Sequence, residues 1–155
     1  MTARCIGVLS DTHGLLRERV KDKLRGCGLI VHAGDVDSAS VLAELREIAP
    51  VVAVRGNVDR GSWASELDEV EYLDVDGTRI YVIHDRNKLD ARALPIGTGV
   101  VIYGHSHRPH VECVDGVLYL NPGSAGPRRF NLPVSMALLH IQPDSIRPEL
   151  IEVPA

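Results

Sequence analysis

Five short, mostly apolar runs break off abruptly at polar residues, and this punctuation dominates the chain. Cys5 to Leu9 runs into Ser10-Asp11-Thr12-His13-Gly14, Leu29 to Ala33 into Gly34-Asp35, and Val51 to Arg55 into Gly56-Asn57. Ile80 to Ile83 ends at His84, and Val100 to Tyr103 ends at Gly104-His105-Ser106-His107. Runs of this length bounded by turn residues read as strands buried on both faces. Between the first three the spacing becomes helical. Leu16, Val20 and Leu24 form one stripe from Leu15 to about Arg25, and Val41, Leu42, Leu45 and Ile48 form another after the start signal Asp37-Ser38. Strand and helix alternate, which implies right-handed parallel crossovers.

After Gly61 to Ser65, which reads as a loop with Trp63 packed beneath it, the pattern turns to hairpins. Val70 to Val75 and Thr78 to Ile83 flank Asp76-Gly77, a two-residue turn. A short helix is expected around Lys88 to Leu94. Val111 to Val114 and Val117 to Leu120 flank Asp115-Gly116, and Val134 to Ile141 and Ile146 to Val153 flank Pro143-Asp144. Parallel units first and hairpins afterwards suggest two sheets packed face to face with helices outside.

Composition narrows the function class. At 155 residues, 45% of them apolar, the chain reads as one domain spanning 1–155. Its apolar runs fall well short of the ~20 residues that a membrane span needs, so a cytoplasmic protein without membrane attachment is expected. A net charge of −4 argues against general nucleic-acid binding, although Arg128-Arg129 could touch a phosphate. Cys5, Cys27 and Cys113 lack CxxC spacing and read as buried free thiols.

In an open, mostly parallel sheet, ligands gather beyond the carboxyl ends of the strands. Asp11, His13, Asp35, Asn57, His84, His105 and His107 would therefore share one place. Each fragment has a bland alternative: a helix cap at Asp11, plain turns at Asp35 and Asn57, a core histidine at His84. His105 and His107 are harder to dismiss, because two imidazoles at i and i+2 after a glycine form a common metal-binding arrangement. Carboxylate, amide and imidazole donors without thiolate suit Mn²⁺, Fe, Ni²⁺ or Zn²⁺.

The series Asp-x-His, Gly-Asp, Gly-Asn, His and Gly-His-x-His, with the turn Asn121-Pro122-Gly123-Ser124, resembles the calcineurin-like metallophosphoesterases, and most closely their small YfcE-type phosphodiesterases. The resemblance covers essentially the whole chain. It implies a four-layer α/β/β/α sandwich of two mixed sheets flanked by helices. It also implies a dinuclear centre: Asp11, His13 and His107 on one ion, Asn57, His84 and His105 on the other, and Asp35 bridging. Mn²⁺ is the foremost metal. Asp35, Asn57 and His105 would hold the water and phosphate, and the substrate would be a small or activated phosphodiester. A protein-binding scaffold of the same fold, a phosphomonoesterase and a nucleotide polyphosphate hydrolase are the alternatives.

Two departures from the resemblance bear on mechanism. Larger relatives place a histidine after the asparagine, a proton donor to the leaving group, whereas this chain has Val58. After His84 comes Asp85-Arg86 instead of a glycine; Arg86 would either contact substrate phosphate or form an exposed pair with Asp85. Asp59 would either orient a ligand or cap a turn. His32 reads as core or ligand support, His110 and His140 as surface or hairpin residues, and Asp37 and Arg55 as neighbours of ligands. Apolar edges of the C-terminal hairpins could support a homodimer.

Overall fold

The computed structural model describes residues 4–129 and 131–154. The expected alternating unit forms as β1 (Arg4–Leu9), α1 (Glu18–Leu24), β2 (Leu29–His32), α2 (Ala39–Ile48) and β3 (Val51–Ala53). These three strands are parallel. α1 starts later than expected because the Leu15 N–H closes a turn onto the Thr12 carbonyl at 2.9 Å and Arg17 is extended, so the helix begins only at Glu18. Ser38 caps α2, accepting the Ser40 N–H at 3.2 Å.

The hairpins follow as β4 (Val70–Val75) with β5 (Thr78–Ile83), then β6 (Thr98–Ile102), β7 (His110–Val114) with β8 (Val117–Asn121), and β9 (Ser135–Gln142) with β10 (Ser145–Glu152). One sheet is ordered β10-β9-β1-β2-β3 and the other β4-β5-β6-β8-β7. Alternation along the strands divides the core. Ile6, Val8, Val31 and Leu139 meet Ile80, Val82, Ile102 and Leu120 between the sheets, while Leu9, Ile30 and Met136 meet Val20, Leu24 and Leu45 under the helices. Each such side chain, fully buried, contributes about 1.5–3 kcal/mol.

The result is the expected α/β sandwich of two mixed sheets, with a thin fourth layer. In place of one helix over Lys88 to Leu94, two 3₁₀ turns, Arg86–Lys88 and Ala91–Ala93, lie against the outer face of the second sheet. Asp85 and Asp90 each cap a new turn by accepting the N–H two residues on, at 3.0 Å in both cases, so the second cap interrupts what would be one helix. Leu89 and Leu94 pack there on Tyr81, Tyr103 and Tyr119.

Trp63 packs on the helix-side core, as expected. Cys27 is buried and Cys5 half-buried, but Cys113 is exposed, because β7 is an edge strand and Cys113 lies near its turn. His140 pairs with Glu149 across the β9–β10 hairpin at 3.0 Å, and the His110 side chain is exposed. No helix among the described residues is long and apolar enough to cross a membrane.

Candidate metal centre

The carboxyl ends of β1, β2, β3, β5 and β6 meet at one edge of the sandwich, where the two sheets are stitched together by hydrogen bonds. His105 N–H donates across the sheets to Asp11 Oδ2 at 3.1 Å, while within the second sheet Gly104 N–H donates to the His84 carbonyl at 3.0 Å. His84 Nδ1 lies 2.7 Å from the Ala33 carbonyl. A carbonyl only accepts, so Nδ1 carries the proton and Nε2 presents its lone pair. A Cβ at Gly56 would overlap the Asp35 carboxylate, and one at Gly104 would overlap Ser10 Oγ and Asp11 Oδ2. Only glycine permits this approach.

The backbone is strained at the same places. Asp11, His13, Asp35, His105 and His107 have φ of 56°, 47°, 57°, 73° and 63°, in the left-handed region. Each costs on the order of 1–3 kcal/mol, so the rest of the fold holds these side chains where they would not otherwise settle.

Six of the seven expected donors gather in two groups. Asp11, His13 and His107 form one, and Asp35, His84 and His105 the other, with candidate ligand atoms within 4.8 Å of one another in each. Asp11 Oδ1 lies 3.4 Å from His107 Nε2 and 3.7 Å from His13 Nε2. Asp35 Oδ2 lies 3.1 Å from His84 Nε2 and 3.8 Å from His13 Nε2, so one oxygen faces both groups. The partner oxygens are tied down. Asp11 Oδ2 accepts from Ser10 Oγ at 2.7 Å, and Asp35 Oδ1 from the Val58 N–H at 3.0 Å.

Asp11 Oδ1, His13 Nε2 and His84 Nε2 are buried without a hydrogen-bond partner among the described residues. Unsatisfied buried groups cost about 1–3 kcal/mol each, and here they point at one another. Nitrogen and oxygen donors left free in this way fit divalent cations. Burial works to raise the Asp11 carboxyl, but His107, His13 and His84 overcome it and hold the group far below its usual range. Asp35 is likewise lowered, with burial offset by His84 and the Val58 N–H. Both stay ionised at neutral pH. Asp11 raises His13, and at His84 the carboxylates of Asp35 and Asp11 outweigh burial. The field that draws protons onto these imidazoles would equally draw a cation, which competes with those protons.

The seventh expected donor, Asn57, is exposed on the wall of a cleft beside His84, and its side chain makes no hydrogen bond among the described residues. His105 is the open member of its group, with 40% of its side chain exposed. Asp59 does both things weighed for it. Its carboxylate accepts from the N–H groups of Asp35, Asp37 and Gly56, at 3.0, 2.8 and 2.8 Å, and so clamps the loops after β2 and β3 together.

Arg86 requires a correction. The exposed pair with Asp85 does not form: the Arg86 guanidinium binds Glu112, donates to Tyr103 Oη at 3.2 Å and stacks 4.1 Å from the Tyr119 ring centroid. It does not line the cleft, and it anchors the turn after His84 to the second sheet. Of the basic pair, Arg128 lines a separate shallow hollow, and Arg129 is the one whose charge reaches His13.

Two supports lie beneath the donors, the first at His32, which the sequence reads as core or ligand support, and the second at the Asn-Pro-Gly-Ser turn. His32 Nδ1 accepts the Gly34 N–H at 3.1 Å, leaving Nε2–H to donate to Thr12 Oγ1 at 3.0 Å, and Thr12 passes its own proton to the Val36 carbonyl at 3.1 Å. Asn121 Nδ2 donates to the Gly104 carbonyl and Ser124 Oγ to that of Asp11, at 3.2 and 3.0 Å. The Asn-Pro-Gly-Ser turn thus braces both histidine-bearing loops. Its sequence signalled a turn without saying what the turn would touch.

Comparison with known proteins agrees with this architecture. Residues 5–144 match the model of the calcineurin-like phosphoesterase superfamily domain. A probable metallophosphoesterase of Methanothermobacter thermautotrophicus is 35% identical over 162 residues, covering 97% of this chain and 93% of the relative. The phosphodiesterase YfcE of Escherichia coli is 29% identical over 160 residues, covering 84% of each. Among solved structures, a predicted phosphoesterase from Streptococcus pneumoniae superposes with a TM-score of 0.78 at 26% identity, covering 98% of this chain and 91% of the other. With the domain matched across nearly its whole length and over a third of positions shared with the archaeal relative, this chain belongs to the calcineurin-like phosphoesterase superfamily.

Proposed function

We propose that the chain is a metal-dependent phosphodiesterase acting on small or activated diesters through a dinuclear centre. Asp11, His13 and His107 would hold one ion, Asn57, His84 and His105 the other, and Asp35 would bridge them. The observation that carries this reading is the set of three buried, unpartnered donor atoms, Asp11 Oδ1, His13 Nε2 and His84 Nε2, grouped around the free oxygen of Asp35. Two divalent ions, Mn²⁺ foremost, would supply Lewis-acid neutralisation of the phosphate and acidification of water.

The protein's own residues do the positioning. The Val58 N–H fixes which oxygen of Asp35 faces inward, Asp59 fixes the backbone beneath it, and Ala33 fixes the His84 tautomer. Asn57 and His105, the two exposed members, stand where a diester can reach them and would orient its phosphate with Asp35. Val58, 37% exposed in the same loop, has no proton to give a departing alkoxide. A missing general acid costs about 10²–10⁴ in rate for poor leaving groups, so aryl esters are the preferred substrates.

Hydrolysis of bis-p-nitrophenyl phosphate with added Mn²⁺ tests the reading, alongside His13→Ala and Asp35→Ala. The wild type turns the diester over, and each variant loses at least about 10²–10³ in kcat, the scale for removing one preorganised charge-stabilising group. Equal inactivity of all three across several metals would favour the protein-binding scaffold. A monoester hydrolysed far faster than any diester would make the enzyme a phosphomonoesterase.

A further inference from the structure

Beside the second donor group opens a cleft of about 570 Å³, within the range of small-molecule sites and far larger than one phosphate fills. Asn57 and His84 stand on its wall, so it is continuous with the candidate metal centre. Three cations and three carboxylates line it. Each carboxylate keeps its charge but is already held: Asp59 by three backbone N–H groups, Glu69 by Arg55 at 3.4 Å, and Asp85 by the Asn87 N–H, with its other oxygen 3.9 Å from His105 Nε2.

Arg60 and Lys88 remain. Both are exposed, and neither forms an ion pair or a side-chain hydrogen bond among the described residues. Each is carried by a loop that also carries a candidate ligand, Arg60 three residues after Asn57 and Lys88 four after His84. Val70, Tyr81 and Ile83 add an apolar wall to the same cleft. The space thus combines a phosphate-binding end, an apolar wall and two uncommitted cations, on a chain whose net charge is negative.

We infer that this cleft binds a second phosphate, carried on one arm of the substrate diester and gripped by Arg60 and Lys88. This rests on the diesterase reading and narrows its substrate class to phosphodiesters bearing a further anionic group. The organic part of the arm lies along Val70, Tyr81 and Ile83. Guanidinium and ammonium are the standard partners of phosphate, and these two line the same cleft from separate segments of the chain.

Isothermal titration of the Mn²⁺-loaded protein with thymidine 3′,5′-bisphosphate and with the two thymidine monophosphates tests the inference without turnover. The bisphosphate binds about tenfold tighter than either monophosphate, and the gap narrows with added salt. Arg60→Ala/Lys88→Ala closes the gap, whereas Arg25→Ala, an exposed arginine at the end of α1 that does not line this cleft, preserves it. Melting temperature and metal content confirm that the double variant is folded and loaded. 1,4-Butanediol bisphosphate separates the two sources of such anions: weaker binding than the thymidine compound identifies a nucleoside arm, and equal binding identifies an acyclic one. Equal binding of bisphosphate and monophosphates by the wild type, or a gap that survives in the double variant, overturns the inference while leaving diester hydrolysis intact. A wild type that keeps the gap but hydrolyses no diester rejects the diesterase reading instead and leaves the anion site standing.

Discussion

The two halves of the donor cluster are built differently. Asp11, His13 and His107 lie inward, braced by Ser10, Ser124 and the His32–Thr12 chain, and two of the three are buried. Around the second group the enclosure is incomplete: His84 and Asp35 are buried, but His105 and Asn57 are exposed and the cleft opens beside them. A fully enclosed set would hold ions and admit no substrate. A fully open one would not keep its donors aligned while unloaded. One rigid wall and one accessible wall satisfy both demands, so damage to the closed side should cost fold and metal, and changes on the open side should alter substrate preference.

The largest expected effect comes from Asp59, which joins the closed side to the open one. In Asp59→Ala, one buried and two part-buried N–H donors lose their acceptor, the first at about 1–3 kcal/mol and the others at less because water reaches them, for a loss of about 2–4 kcal/mol. Mn²⁺ affinity falls by about 10–100-fold, because Asp35 and the loop of Asn57 are no longer held. Denaturant unfolding and metal titration measure both. Intact stability with weakened metal binding would show that Asp59 serves the ligands alone, and the division into a supporting wall and an accessible one would lose its link.

Next in size is a pH effect from His32 on the closed side. Burial lowers this imidazole from 6.5 to about 4, so the folded protein keeps it neutral where the unfolded chain takes up a proton. Between those values the unfolded state binds more protons. The stability His32 contributes is therefore complete above about pH 6.5 and is lost progressively as pH falls toward 4, by roughly 3 kcal/mol in total. Asp11 and Asp35, lowered from 3.8, act in the same direction only at more acid pH. His13 and His84 are raised, so in the metal-free protein their contribution is present below 6.5 and fades as pH rises above it. Within the window from 6.5 to 4 His32 dominates, and the carboxyls of Glu71, raised, and Glu112, lowered from 4.5, add smaller effects toward its acid end. Urea unfolding in chelator should show this slope, and His32→Gln should flatten it; an unchanged slope in the variant would assign it elsewhere.

Much of this centre was legible before any coordinates, because strand ends and their donors are local signals: an apolar run, a turn, an aspartate or a histidine. What stayed hidden is what depends on distant partners. Nothing near Asp59 announces N–H groups 22 and 24 residues away. Arg86 looks free in sequence because Tyr103, Glu112 and Tyr119 belong to later strands. The left-handed backbone of Asp11, His13, Asp35, His105 and His107 leaves no mark, since aspartate and histidine adopt it more readily than most residues and no glycine is needed there. The single helix over Lys88 to Leu94 failed for a local reason that was readable, a second aspartate cap at Asp90.

The smallest expected effect lies on the open side. Val58 is on the loop between Asn57 and Asp59, its N–H is engaged by Asp35, and its side chain is 37% exposed. Substitution there changes an exposed side chain between Asn57 and Asp59 without touching the backbone bond that orients Asp35. Val58→His places an imidazole that can be protonated near neutral pH at this point. A positioned general acid can contribute about 10²–10⁴, but a histidine without supporting hydrogen bonds realises only part of that, on the order of tenfold. The gain appears with alkyl diesters, whose leaving groups need a proton, and vanishes with bis-p-nitrophenyl phosphate, whose phenoxide does not. Comparing kcat for dimethyl phosphate, followed by methanol release, with that for the bis-aryl diester reads this selectivity directly. Equal acceleration of both would mean that the imidazole acts on the phosphate and not on the departing oxygen, and the accessible wall would then govern binding more than proton transfer.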